Sequence, residues 1–391
     1  MGRGPVSSTV LDRVRKLAPG IASRAQEIED ARALPPDLVA ELTGAGCFRM
    51  LVPRRYGGEE LDIAACLDVI EELSTADAST GWSAMIACSN LLVFGLFPQA
   101  TVDAVYANGP DVVSAGSHAP KGTARPVDGG YVLSGQWPLA SGCGHSGWVF
   151  VHAAVGNGDE PELMSNGMPV MRLALLPAAE VEIVDTWRAL GLRGSGSHDI
   201  RVRDVFCPAE RTCRLFGGWS TLPDTVFRVP PVAPLALFIA AVAVGAGRAA
   251  LEDAAEVAAG GKRPAYGARR VAESPLFQTR IAEADTQLRA ARALIHAEAR
   301  QAWHTAAAGG DFSLLDRARM RAASTYAVQV ATEATETSFR LAGSGALYDG
   351  SALQRRMRDV ATLAQHASVG PEFYPIAGAL LAGEPVDTMR I

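Results

Sequence analysis

Apolar positions change their period twice along the 391-residue chain. From residue 8 to about 107 they recur at helical spacing. Residues 10–31 read as an amphipathic helix, 35–44 as a short helix ended by glycine, and 61–73 and 80–97 as two more. Pro53-Arg54-Arg55-Tyr56-Gly57-Gly58 interrupts them as a loop. From 111 to about 215 the pattern shortens to alternation. Asp128-Gly129-Gly130 is a hairpin signal, and 131–134, 148–154, 171–176 and 199–206 read as strands, with 156–168 as a polar loop. From 232 to about 384 the chain returns to long, alanine-rich helices at 234–259, 275–308, 314–342 and 353–369, separated by the short breaks of an antiparallel four-helix bundle. No internal repeat is visible. The order predicts an α+β protein in three parts: a helical domain over 1–110, a small β domain over 111–225 and a bundle over 226–391.

Composition narrows the class. Hydrophobic residues at 48% and charged residues at 20% are ordinary for a globular protein. A net charge of −6 argues against a nucleic-acid partner. The longest apolar run, 229–247, carries prolines at its start and meets Arg248 at its end, so it is expected as a buried bundle helix and not a membrane span. The N-terminus has no apolar signal core, and the six cysteines contain no C-x-x-C pair; both suggest a reducing, cytoplasmic setting. No clustered ligands for a metal are visible in the sequence.

The chemistry concentrates between Phe339 and His366. Gly343, Gly345 and Gly350 allow close backbone approach to a ligand. Arg355 and Arg358, one turn apart, can offer guanidinium groups to a phosphate, and His366 lies two turns beyond Asp359. Imidazole titrates near neutrality, so His366 suits proton transfer or hydrogen bonding to a reacting oxygen. No nucleotide-binding G-x-G-x-x-G follows a strand, since Gly194-Ser195-Gly196 lacks the third glycine.

Leu341-Ala342-Gly343 and Arg355-x-x-Arg358-Asp359 resemble the C-terminal signature of the acyl-CoA dehydrogenase superfamily. His366-Ala367-Ser368 stands where those dehydrogenases carry the Tyr-Glu-Gly of their base, and no Asp or Glu lies between Thr225 and Leu251, the other place for it. The combination resembles the superfamily's two-component, flavin-dependent monooxygenase branch. The resemblance implies a reduced flavin (FMNH2 or FADH2) and O2 as cofactors, and a separate NAD(P)H:flavin reductase. It also implies a C4a-(hydro)peroxyflavin, a small aromatic, phenolic or amine substrate, a homotetramer, and a place in natural-product tailoring.

Site residues follow from the same likeness. Trp137-x-x-x-Ser141-Gly142 is similar to the segment whose hydroxyl sits near flavin N5, so Ser141 and His366 are the expected catalytic residues. Gly116 and Ser117 are expected to touch the cofactor through backbone. Arg263 and Tyr266, in an R-x-x-F-like element, are expected to reach a neighbouring subunit's cofactor phosphates, and Gly343, Arg355 and Arg358 are expected to bind the cofactor. Asn90, His118, Leu139 and Arg193 are expected in the substrate pocket. Asn90 stands near the place where many such hydroxylases carry a histidine, which puts a two-histidine mechanism in doubt. Two other readings stay open: an acyl-CoA dehydrogenase-like oxidoreductase with a displaced base, and a non-catalytic scaffold with the fold retained.

Overall fold

A computed structural model describes residues 9–157, 160–263 and 269–388. Six helices come first: α1 (Val10–Ser23), α2 (Ala25–Ala31), α3 (Pro36–Ala45), α4 (Ile63–Ala76), α5 (Ala78–Phe94) and α6 (Gln99–Val105). Thr9 and Asp12 close a capping box at the start of α1, Asp62 caps α4, and Asp77 caps α5 through the Thr80 amide. The single helix expected over 10–31 is broken at Arg24. Its amide bonds to Ile21 O, an i to i−3 tightening, and its guanidinium bridges Glu27 and Asp37. Almost every residue of α5 is buried, so no polar stripe marks it in sequence.

A nine-stranded sheet follows: β1 (Ser114–Ser117), β2 (Thr123–Val127), β3 (Gly130–Ala140), β4 (Trp148–Asn157), β5 (Glu160–Pro161), β6 (Met171–Pro177), β7 (Glu182–Val184), β8 (His198–Pro208) and β9 (Thr212–Cys213). Its main path runs β7-β8-β3-β2-β4-β6-β9, with β1 parallel to β4. Alternation sends the two faces of β4 and β6 to different cores. Val149, Val151, Ala174 and Leu176 pack with Trp137 inside the β domain, while Phe150, Leu173 and Leu175 pack against the helices. The polar loop expected at 156–168 is in part paired: β5 bonds to Gly156 and Asn157, and Leu163 bridges Pro169.

The chain ends in helices α7 (Thr225–Arg228), α8 (Leu235–Ala259), α9 (Pro275–Ala307), α10 (Leu314–Ala342), α11 (Ala352–Leu363) and α12 (Phe373–Leu381). α8 is long and apolar enough to cross a membrane, yet it lies inside the protein, packed on α4 so closely that a Cβ on Gly245 would meet Glu71 O at 2.4 Å. α11 stops six residues short of the expected end. Amides of Gln365 and His366 bond three residues back, and the Ser368 amide is taken by His366 Nδ1 at 3.1 Å, out of the helical ladder. His366 therefore sits in the turn after the helix.

Candidate active site

A cavity of about 1950 Å3 opens where α5, the β domain, the first turns of α8 and α10 and the turn after α11 meet. That is roughly twice the space one drug-sized ligand needs, so a cofactor and a substrate fit together. Among the described residues lining it there is no Asp or Glu.

Ser141 is aimed into it by a strained corner. β3 bulges between Trp137 and Ala140, Leu139 is held at φ +64°, and the Ser141 amide folds back on Leu139 O at 3.1 Å. This lifts Leu139 into the cavity, 60% exposed, and turns Ser141 inward, 6% exposed. A hydrogen-bonded row runs from there. Trp82 Nε1 donates to Ser141 Oγ at 2.9 Å, Ser141 Oγ meets Ser197 Oγ at 2.7 Å, and Ser197 Oγ meets Ser195 Oγ at 2.7 Å. The end fixes the direction, because Ser195 donates its only hydroxyl proton to Leu192 O at 2.7 Å. Ser197 must then donate to Ser195, and Ser141 to Ser197. Ser141 is left with one unfilled acceptor position and no proton to offer the cavity.

Three histidines line the same space. His366 Nδ1 accepts from the Ser368 amide, so in the neutral ring Nε2 carries the hydrogen. Its ring meets Trp82 edge-on at 5.8 Å, and burial with the Arg321 charge pulls its pKa down to about 4. His152 Nδ1 donates to His118 O at 3.1 Å. His118 has its pKa lowered to about 4 by burial, with His152 and His366 adding to the effect. Both His118 and His366 are therefore neutral near pH 7. His366 offers a donor, whereas the His118 ring keeps an acceptor nitrogen for the cavity. The segment after β1 brings a second histidine, His118, to the cavity; Asn90 lines the wall and donates to Ser114 O at 2.8 Å. His118 and His366 are both among the expected site residues, and the fold brings them to one cavity from positions far apart in sequence.

Gly116 and Ser117 also line the cavity, and a Cβ on Gly116 would come within 2.6 Å of Phe150. Arg193, Arg355 and Arg358 do not line it. Arg358 pairs with Glu29 at 2.5 Å and donates to Leu190 O at 3.0 Å; Arg355 and Arg193 approach the same Glu29. Asp359 accepts the Leu192 amide at 2.6 Å, its pKa pushed up to about 7 by burial with Asp77 nearby. The R-x-x-R-D run thus pins the 190–192 segment and α2 onto α11, outside this cavity. A glycine is needed at the joint, since a Cβ on Gly191 would sit 2.2 Å from Arg358 O. The neighbours of Arg263 and Gly343 meet elsewhere, past the C-terminal ends of α8 and α10, where Lys262 Nζ donates to Ala342 O. Tyr266 lies outside the described residues.

Tertiary contacts also gather a ligand-like cluster that the sequence concealed: Asp68, Glu71 and His296, their donor atoms within 4.8 Å. Arg292 already supplies the cation, bonding to both carboxylates, with His296 Nε2 2.7 Å from Glu71. All six cysteines are buried and free.

Comparison with known proteins agrees with this architecture. The N-terminal domain model of the acyl-CoA dehydrogenases matches residues 7–99 and the C-terminal domain model residues 237–371. The chain is 34% identical to an indole-3-acetate monooxygenase of Pseudomonas putida, over 98% of this chain and 95% of that one. It is 33% identical to an FADH2-dependent resorcinol hydroxylase, oxygenase component, of a Rhizobium species, over 92% and 90%. The crystal structure of a 3-HSA hydroxylase from Rhodococcus superposes with a TM-score of 0.90 at 30% identity, covering 98% of this chain and all of that one.

Proposed function

The chain belongs to the acyl-CoA dehydrogenase family, as the oxygenase component of a two-component, reduced-flavin-dependent monooxygenase, and on that premise we propose that it hydroxylates a small phenolic or indolic ring in the cavity behind Ser141. The observation that carries the reading is the pairing of two neutral histidines with a hydroxyl that can only accept, in a cavity whose described lining holds no carboxylate. Abstraction of a proton α to a thioester needs a base of that kind, and none of the described lining residues supplies one.

The residues fit a reduced flavin. Ser141 presents an acceptor, which complements the N–H at N5 of the reduced ring; the oxidised ring has only a lone pair there. Gly116 and Ser117 would hold the ring edge through backbone groups. Bound reduced flavin supplies the electrons that activate O2. His366 Nε2–H donates a hydrogen bond toward the reacting oxygen, and His118 acts as general base on a phenolic O–H, or accepts a hydrogen bond from an indolic N–H, which raises the electron density of the ring to be attacked. The apolar wall from Trp82, Leu139 and Leu363 excludes water from that encounter.

The flavin's phosphate end and the assembly belong to the same proposal. Arg263 and Gly343 share a corner with Leu347 and Tyr348, which are 63% and 75% exposed. Large apolar side chains left in solvent beside a basic turn favour a homotetramer in which this corner meets a neighbouring subunit's flavin, with Tyr266 reading as part of the same element. The NAD(P)H-dependent reductase is a separate protein, and the setting is cytoplasmic.

The test is anaerobic loading with reduced FMN or FADH2, stopped-flow mixing with O2, and product analysis on a panel of phenols and indoles. A long-lived absorbance transient and a hydroxylated product are expected. Bleaching of tightly held oxidised flavin by an acyl-CoA, with no oxygenated product, would instead establish the dehydrogenase reading.

A further inference from the structure

We propose that the substrate is an aromatic acid anion whose carboxylate docks on Arg317, a subsite about one helical turn further along α10 from the histidine end of the cavity; this rests on the monooxygenase reading above. In a chain of net charge −6, the described cavity lining contains Arg172, Arg214, Arg317 and Arg321 and no acidic side chain. Such a lining is built to receive negative charge.

Arg317 is where that charge is least answered. Its Nη2 donates to Phe312 O at 3.3 Å, its plane lies 4.6 Å over the Trp219 ring, and its buried Nε has no hydrogen-bond partner. No carboxylate among the described residues lies within ion-pair distance of it, and burial alone lowers its pKa. Arg358 and Arg292, also partly buried, each hold a carboxylate at 2.5 Å. A partly desolvated guanidinium with an open fork is costly unless an anion completes it, and a carboxylate fits that fork through two parallel hydrogen bonds.

The position sets the ligand's shape. Arg321, one turn along α10, donates to Ser368 O at 3.2 Å and its charge bears on His366. A turn rises about 5.4 Å. An acid group on Arg317 therefore leaves an aromatic ring, on a short side chain, reaching from the Trp219 side toward His366. A flavin phosphate is the other source of the same anionic chemistry.

Binding decides between them without turnover. 4-Hydroxyphenylacetate, 3-(4-hydroxyphenyl)propanoate and their primary amides are titrated calorimetrically into the full chain, wild type and Arg317→Gln, with FMN saturating. Reduced FMN and reduced riboflavin are titrated separately under argon. At least one acid is expected to bind about tenfold or more tightly than its amide. Arg317→Gln should erase that preference, Arg317→Lys should restore part of it, and neither should change the binding of either flavin. Equal binding of acids and amides to the wild type would overturn the proposal. So would an Arg317→Gln that weakens FMN but not riboflavin, which would make this a phosphate site. An acid preference lost in Arg317→Gln, in a protein that forms no oxygenated product, would keep the subsite and remove the monooxygenase reading.

Discussion

Ser197→Ala offers the sharpest test of the hydroxyl row. In the wild type the Ser141 proton is committed to Ser197, so the cavity sees only an acceptor. Removing Ser197 Oγ frees that proton. Ser141 can then donate to the N5 lone pair of oxidised flavin, which it cannot do in the wild type, while the reduced ring keeps its partner. One hydrogen bond contributes about 0.5–1.5 kcal/mol net, so the affinity ratio of reduced over oxidised FMN should fall by roughly 2- to 13-fold. The midpoint potential of the bound two-electron couple should become more negative by about 10–30 mV. Fluorescence-quenching titrations with FMN, aerobic and dithionite-reduced, measure the ratio. Ser141→Ala should lower the reduced-flavin affinity instead. If Ser197→Ala keeps the wild-type melting temperature and the wild-type ratio, or shifts the ratio toward reduced flavin, the assigned direction of the row is wrong.

Other consequences are independent of that row. His366→Ala should keep oxidising reduced flavin with O2 but lose product, cutting product per flavin by about 100-fold or more, read by oxygen uptake against product yield. Because His118 is held at about pKa 4, the acid limb of hydroxylation should lie well below pH 6.5, and a limb near 6.5 would remove it as the base. His145, outside the cavity, has its pKa lowered to about 4 by burial and its Nε2 has no hydrogen-bond partner. Between pH 6.5 and about 4 the unfolded chain binds a proton there that the folded one does not. Stability is therefore lost on acidification, by about 1.4 kcal/mol per pH unit at most from this group. His145→Asn should flatten the acid side of the melting-temperature profile accordingly. Arg358→Gln should destabilise the fold by about 1–3 kcal/mol by stranding Glu29, with the flavin affinity unchanged; a lost flavin affinity with intact stability would return Arg358 to the cofactor.

Much of the fold was legible because its signals are local. The hairpin at Asp128-Gly129-Gly130 announces itself through turn chemistry. The long alanine-rich helices needed only their period. α5 showed less, since burial on all sides leaves no amphipathic stripe, and the end of α11 was overrun because nothing in the sequence says that His366 will take the Ser368 amide.

By itself the sequence determined the order of helices, sheet and bundle, and, through Leu341-Ala342-Gly343, Arg355-x-x-Arg358-Asp359 and the missing carboxylate at the base position, the family and the class of reaction. Tertiary structure decided which charges are spent and which are left open. Arg355 and Arg358 looked like ligands in one dimension but close on Glu29; Asp68 and Glu71 close on Arg292, and His296 on Glu71. Arg317 carried no motif and lines the cavity. The reason is physical: periodicity and capping act between neighbours in the chain, whereas desolvation and ion pairing depend on what the fold brings alongside from hundreds of residues away.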